Sequence, residues 1–312
     1  VRFFLDNNYF SGSIPRVPLG ARYVGFSSNI FSGTIDHFHL LSNRNVPIEA
    51  IRLSSNKLEG TMPAHIWALV PITTDFQIQL NKFVGTLPAL GRPLETVSPF
   101  QEATLYGNFF NGSLPAVSYP LHHTKLDFSD NMFTGSIPPS YRRNLPNLQH
   151  LDFSDNLLGG DLANAPPSVT TLIATSNRMS FDFRTVSLPS VDYLDLTDNK
   201  VYGTWACTGL PSMRMLAMKY NSFNGTLEPN DFGTLLDSSP GAVVLFLPWL
   251  EFTPWTTLPS NCYMLSSSEP LDQTMECLDV VFATRMSKYL MTDSPKFLSY
   301  INCVCQDQYY GI

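Results

Sequence analysis

The chain has 312 residues, 44% of them hydrophobic and 14% charged, with a net charge of −7 and an isoelectric point near 5.3. That apolar share supports an extensive buried core, while the acidic balance excludes a nucleic-acid binder working through a basic footprint. The longest apolar run, residues 241–250, is too short to span a bilayer and contains Pro248.

From its first residues the chain repeats one pattern, L-x-x-N-x-F-x-G-x-I/L-P, clearest over residues 126–138. Its asparagines are Asn8, Asn29, Asn56, Asn81, Asn108, Asn131, Asn156, Asn177, Asn199 and Asn221, spaced by about 21 to 27 residues. Apolar residues stand five and three positions earlier, as in Val24 and Phe26, Ile51 and Leu53, Leu126 and Phe128, or Leu194 and Leu196. This period of two predicts a short strand in every repeat, with one face buried. A single coil cannot cover its own apolar side, so coils must stack and their strands pair in parallel. An asparagine turned inward is tolerable only if fully bonded, which a stacked ladder achieves by bonding the backbone of its own loop and the next. The aromatic two residues later (Phe10, Phe31, Phe83, Phe110, Phe133, Phe223) predicts a second buried column, and the glycine after it a tight bend.

Taken in order, the first five coils run to about residue 120 and have long return segments. Insertions at 36–47 and 89–100 read as small helices or loops on the convex side. Coils six to ten, to about residue 230, are tighter, although the G-x-I-P element fails at 181–183. The array therefore occupies residues 1–230, and residues 231–312 read as a C-terminal cap with an amphipathic helix at 273–291. The chain begins in mid-repeat and reads as a piece of a longer polypeptide.

These residues resemble the plant-type leucine-rich repeat, known from receptor-like kinases, receptor-like proteins and polygalacturonase inhibitors. The resemblance implies an α/β solenoid, mostly β and irregular coil. Its expected form is a right-handed leucine-rich-repeat superhelix with a concave parallel sheet and a second short sheet started by the G-x-I-P segment.

Cys262, Cys277, Cys303 and Cys305 cluster in the cap, which is expected to be disulfide-rich, while Cys207 stands alone in the array. Their gaps give no paired C-x-x-C units and no histidine follows His150, so disulfides in an oxidising compartment are favoured over a metal site, with three pairings open. Cys303-Val304-Cys305 followed by Tyr309-Tyr310-Gly311 resembles the end of an EGF-like module, which implies that Cys305 pairs beyond Ile312 and that a cysteine-rich stalk follows. Asn111-Gly112-Ser113 and Asn224-Gly225-Thr226 are N-glycosylation sequons on the turn leaving the strand.

No nucleophile elbow, zinc-protease, phosphate-loop or dinucleotide motif is present, and no enzymatic activity, cofactor or metal is expected. His37, His39, His65, His122, His123 and His150 read as surface or loop residues. The candidate binding surface is the concave one: Tyr106, Asp127, Asp152, Tyr193, Asp195 and Lys219, with Tyr23 and Tyr220 as further contact anchors. Asp127, Asp152 and Asp195 join Asp130, Asp155 and Asp198 in an acidic zone that suits a basic ligand or a cation.

The expected function is a non-enzymatic, extracellular or cell-surface interaction module of a larger glycoprotein. Its partners are other proteins or glycans, copies of itself included. The C-x-C tail favours a structural assembly such as a coat, appendage or fibril. The alternatives are the ligand-binding ectodomain of a membrane receptor and a secreted hydrolase inhibitor.

Overall fold

The computed structural model describes residues 2–17, 21–36, 49–69, 73–90, 101–203, 209–213 and 215–223, together with the strands Val244–Phe246, Cys262–Met264 and Cys303–Cys305. Most of both predicted insertions, the helix at 273–291, Cys207, Asn224, Cys277 and the cap's side chains lie outside the described residues.

Every coil contributes one short strand to an eleven-stranded parallel sheet, from Arg2–Phe4 through Tyr23–Gly25 and onward to Met215–Ala217 and Val244–Phe246. The last of these continues the sheet beyond residue 230. Equal repeat positions pair across this sheet: Leu126 lies beside Leu151, Leu151 beside Leu172, and Leu172 beside Leu194. Side chains at those positions are buried, because each coil lays its apolar pair on that of its neighbour.

The asparagine ladder ties the coils together. Asn156 Nδ2 donates to the carbonyls of Phe153 (3.2 Å) and Ser154 (2.9 Å) in its own coil and Phe128 (3.0 Å) in the preceding one. Its Oδ1 accepts from the Phe133 N–H of the preceding coil at 2.9 Å. The direction differs from the sequence expectation: the side chain reaches back to the previous coil, not forward to the next. The residue before each ladder asparagine holds a left-handed backbone, whether it is Asn7, Ser28, Ser55, Leu80, Gly107, Asp130, Asp155, Ser176, Asp198 or Tyr220. That single reversal turns the chain out of the first sheet and presents the asparagine to the core.

A seven-stranded second sheet follows the ladder, running from Leu157–Leu158 back to Ser11–Gly12 through strands such as Phe109–Ser113 and Lys82–Thr86. It was expected to start at G-x-I-P, yet its five inner strands run from the residue after the asparagine and end at or just after that glycine, the edge strands Ser11–Gly12 and Leu157–Leu158 being shorter. The proline lacks an N–H for a ladder, and the Ile or Leu before it turns into the core. Register here is staggered by two residues per coil, so Phe109 lies beside Val84 and Met132 beside Asn111. The stagger places Phe133 beside Gly112 and Phe110 beside Gly85. A Cβ on Gly112, whose φ is +75°, would lie 2.8 Å from the Thr86 methyl. Beneath, Phe83, Phe110 and Phe133 stack with centroids 6.1 and 6.3 Å apart.

Where G-x-I-P fails, the Asp182 carboxylate caps a short 3-10 turn, Phe183–Thr185, and the second sheet stops. A separate pair, Tyr202–Gly203 with Ser222–Phe223, continues it. On the return side, the helix Pro139–Asn144 buries Tyr141, and the helix Ala64–Trp67 buries Ile66 and Trp67, whose indole N–H reaches the Pro88 carbonyl at 2.9 Å. In the cap, Cys262–Met264 pairs antiparallel with Cys303–Cys305, with Cys262 in register with Cys305.

His123 corrects the surface reading of the histidines. It is fully buried, and neither ring nitrogen has a hydrogen-bond partner among the described residues. Burial, and then the charge of His122, depress its pKa to about 4. A histidine depressed in this way favours folding above its unfolded pKa near 6.5, and that contribution is lost as pH falls towards 4. His123→Leu is therefore expected to gain about 3 kcal/mol on the wild type between pH 7 and pH 4, measured as the change in urea unfolding free energy. A second expectation concerns Leu80, 46% exposed yet held at φ +57°. Leu80→Asn is expected to stabilise the fold by about 1 kcal/mol, because asparagine enters the left-handed region at lower cost. No gain in the urea midpoint would contradict that account.

Candidate functional site: the concave sheet

Each strand of the large sheet offers two outward positions, six and four residues before the ladder asparagine, and the loop adds a third, two before it. The sequence shows the second and third of these as columns, and the first only through its tyrosines Tyr23 and Tyr193. The whole first column completes the site and joins Tyr23 to Arg52 and Asp75.

At the N-terminal end Phe4, 65% exposed, lies against Tyr23 with ring centroids 4.5 Å apart. The Arg52 guanidinium sits 5.2 Å above the Tyr23 ring and pairs with Asp75 Oδ2 at 2.6 Å. Gly25 makes room for this group: a Cβ there would fall 2.8 Å from the Tyr23 ring and closer still to the Asp6 carboxylate. Asp6 meanwhile accepts from the Ser27 N–H at 2.9 Å. Burial raises the Tyr23 pKa against the opposing pull of Arg52, which leaves the phenol neutral and the cation fixed. The result is an aromatic shelf with a held guanidinium.

The middle of the face is flat and hydroxylated. Ser54 Oγ donates to Ser27 Oγ at 2.8 Å, and Thr104 Oγ1 to Gln79 Oε1 at 2.9 Å. Tyr106 stands half-buried beside this strip, its pKa raised by burial and then by Asp127.

The C-terminal end is acidic, with Asp127 and Asp152 in register on neighbouring strands. Each folds one oxygen onto its own strand, Asp127 Oδ1 accepting from Ser129 Oγ and Asp152 Oδ1 from Ser154 Oγ, both at 2.7 Å. Burial, and for Asp152 also the neighbouring Asp127 charge, lift both above the usual carboxylate range, so the pair holds a proton longer than either would alone. Ile173 separates them from Asp195. Lys125 and His150 flank the pair in the first column, His150 being kept neutral by burial and then by Lys125.

Not every predicted residue joins this surface. Tyr193 is only 8% exposed, and its hydroxyl donates to Asp195 Oδ2 at 3.2 Å, so it orients a carboxylate and offers no free anchor. Tyr220 is exposed in the loop after Met215–Ala217, with the Lys219 ammonium 4.7 Å above its ring. Asp130, Asp155 and Asp198 occupy the left-handed turn position, where aspartate is favoured for its backbone, and they leave the sheet face to the other three. Among the described residues no group of three or more His, Cys, Asp or Glu side chains could hold a metal, and no helix is long and apolar enough to cross a membrane.

Comparison with known proteins agrees with this architecture. The family model described as Leucine Rich Repeat matches residues 124–144 and 147–172. The chain is 29% identical over 194 residues to Receptor-like protein 18 of Arabidopsis thaliana, covering 59% of this chain and 22% of that protein. It is 26% identical over 220 residues to Receptor-like protein 32 of the same plant, covering 67% and 25%. It thus spans about a quarter of the length of these curated relatives. Among solved structures, the ectodomain of the receptor kinase GASSHO1/SCHENGEN3 of Arabidopsis thaliana aligns with a TM-score of 0.50 and 22% identity, over 73% of this chain and 31% of that one. A plant ice-binding protein aligns equally well, at TM-score 0.50 and 20% identity, over 72% and 73%. The shared fold alone therefore does not choose a ligand.

Proposed function

We propose that this chain, a leucine-rich-repeat array of the plant type, is part of the ligand-binding ectodomain of a receptor and works at the cell surface or outside the cell. The observation that carries this reading is the likeness to receptor-like proteins across the array. It favours the receptor over the structural assembly suggested by the C-x-C tail, and over the hydrolase inhibitor. The register of Cys262 with Cys305 supports a disulfide between them in the same oxidising compartment.

The concave face suits a protein or peptide partner and needs no catalytic group. Its aromatic shelf and its carboxylate pair are four strands apart, roughly 19 Å, which an extended segment of about six residues spans. A basic side chain is the fitting guest for Asp127 and Asp152, and an apolar one for Phe4 and Tyr23.

A positional-scanning library of peptides with one basic and one aromatic residue tests this on the secreted chain. Binding is expected to peak at a spacing of about six residues and to strengthen as pH rises from 5 to 8. Over that range the raised carboxylates lose their shared proton and gain charge. Asp127→Asn should weaken binding about tenfold at pH 7.5 and flatten the pH profile, while Glu59→Lys on the second sheet should leave it unchanged. Equal losses in the two variants, or no preference for a basic residue, would sink the assignment to this face.

A further inference from the structure

The second sheet carries an exposed apolar patch that the concave site does not use. Phe109 is 51% exposed, Met132 48% and Val84 41%. Phe109 and Asn111 stand two residues apart on Phe109–Ser113, with Phe110 between them wholly in the core, so both face outward about 7 Å apart. Across the sheet Asn111 has Met132 on one side and Thr86 on the other, while Phe109 has Val84. The asparagine of the sequon Asn111-Gly112-Ser113 is thus flanked by an aromatic ring along the strand and a thioether across it.

We propose that Asn111 carries an N-linked glycan whose proximal N-acetylglucosamine is seated on Phe109 and Met132, so that the glycan covers the patch and acts as a structural part of the second sheet. The inference rests on the extracellular reading above. Asn111 Nδ2 displaces the diphosphate from C1 of a lipid-linked oligosaccharide. The C1–O bond breaks as the C1–N bond forms, and the amide proton leaves with the lipid diphosphate. The sugar then hangs on a short arm from a rigid strand, which limits where its first ring can lie. One face of that ring presents only C–H groups, which suit the electron-rich face of Phe109 and the soft sulfur of Met132. The hydroxyls at its rim stay in water, and the small neighbours Thr86, Ser113 and Thr134 leave the ring room to lie flat. A contiguous exposed apolar patch on a secreted protein calls for a cover, and the sequon supplies one in place. At the second sequon a serine, Ser222, stands two residues before Asn224 in the place that Phe109 holds before Asn111. With the second sheet covered, the concave sheet is left as the face for a protein partner.

The test uses the full chain secreted from a eukaryotic host. Glycopeptide mass spectrometry reads occupancy at Asn111 and Asn224, and thermal melting is compared for intact glycan, glycan trimmed to a single N-acetylglucosamine, and glycan removed. Trimming is expected to leave Tm unchanged, and complete removal to lower it by about 2–4 °C. This series uses the unmutated protein and so does not depend on a variant folding. Ser113→Ala and Phe109→Ser should each lower Tm, and the double variant should fall less than the sum. Additive losses, an unchanged Tm on complete removal, or a bare Asn111 beside an occupied Asn224 would overturn the seat while leaving the extracellular reading intact. Bare asparagines at both sequons would overturn both.

Discussion

The structure depends on one interaction, the inward asparagine that bonds two coils at once. A backbone leaving one sheet for another must expose N–H and C=O groups at the corner, and unmet groups there would cost about 1–3 kcal/mol each. Asn156 meets three carbonyls and one amide with a single side chain, and Asn108 repeats the arrangement with Ile78, Leu105, Tyr106 and Phe83. Half of that bonding belongs to the preceding coil. The corner of one coil is therefore complete only when the next coil is in place, which makes coil formation cooperative along the array. Both sheets hang on this corner, one ending just before it and the other beginning just after.

The ladder and the bend glycines were legible in the sequence because each all but demands one residue type, and the Phe column because its place is always apolar, with Leu58, Leu158, Met179 and Val201 filling it elsewhere. Only asparagine combines donor and acceptor at that reach, and only glycine combines a positive φ with clearance for the Thr86 methyl. The left-handed position before the asparagine was not legible. It accepts Asn, Ser, Leu, Gly, Asp and Tyr, since the corner's bonds hold the backbone whatever the side chain. Missing it had a consequence, because Asp130, Asp155 and Asp198 then read as part of an acidic binding zone. They are there to fit a turn, and of the six aspartates in that zone only Asp127, Asp152 and Asp195 belong to the concave sheet.

Columns of equal repeat position describe the large sheet faithfully, as its register pairs like with like. On the second sheet they mislead, because the two-residue stagger sets each residue beside a different column. Phe109 belongs with Val84 and Asn111 with Met132, neighbours that no alignment on the asparagine would join. The concave site was half legible for a related reason. Its columns four and two residues before the asparagine are legible as columns, whereas of the column six before it only Tyr23 and Tyr193 stand out, as tyrosines, and Asp75, Lys125 and His150 do not. Without the whole of that column, Tyr23 is not joined to Arg52 and Asp75, nor the carboxylate pair to its flanks. His123, in the stretch before Leu126, reads as polar in sequence yet lies at a bulge where register shifts against Gln101 and Glu102, and it is drawn into the core.

The two faces differ in what their chemistry can recognise. The large sheet spends its outward positions on groups whose hydrogen bonds are only partly met by the chain: Asp127 and Asp152 each commit one oxygen to a neighbouring Ser, and Arg52 is held by Asp75 with its face on Tyr23. Such groups keep direction and retain capacity for a partner, and fixing them beforehand lowers the ordering cost of binding. Around Asn111 the second sheet offers Val84, Phe109 and Met132 between the hydroxyls of Thr86, Ser113 and Thr134, with the charged Lys57, Glu59 and Lys82 on earlier coils. A surface of that kind does not select a protein by charge, but it can accept the C–H face of a sugar. The same repeat thus writes two surfaces of opposite character. The left-handed residue before each asparagine separates them, since it turns the strand that recognises into the strand that is covered.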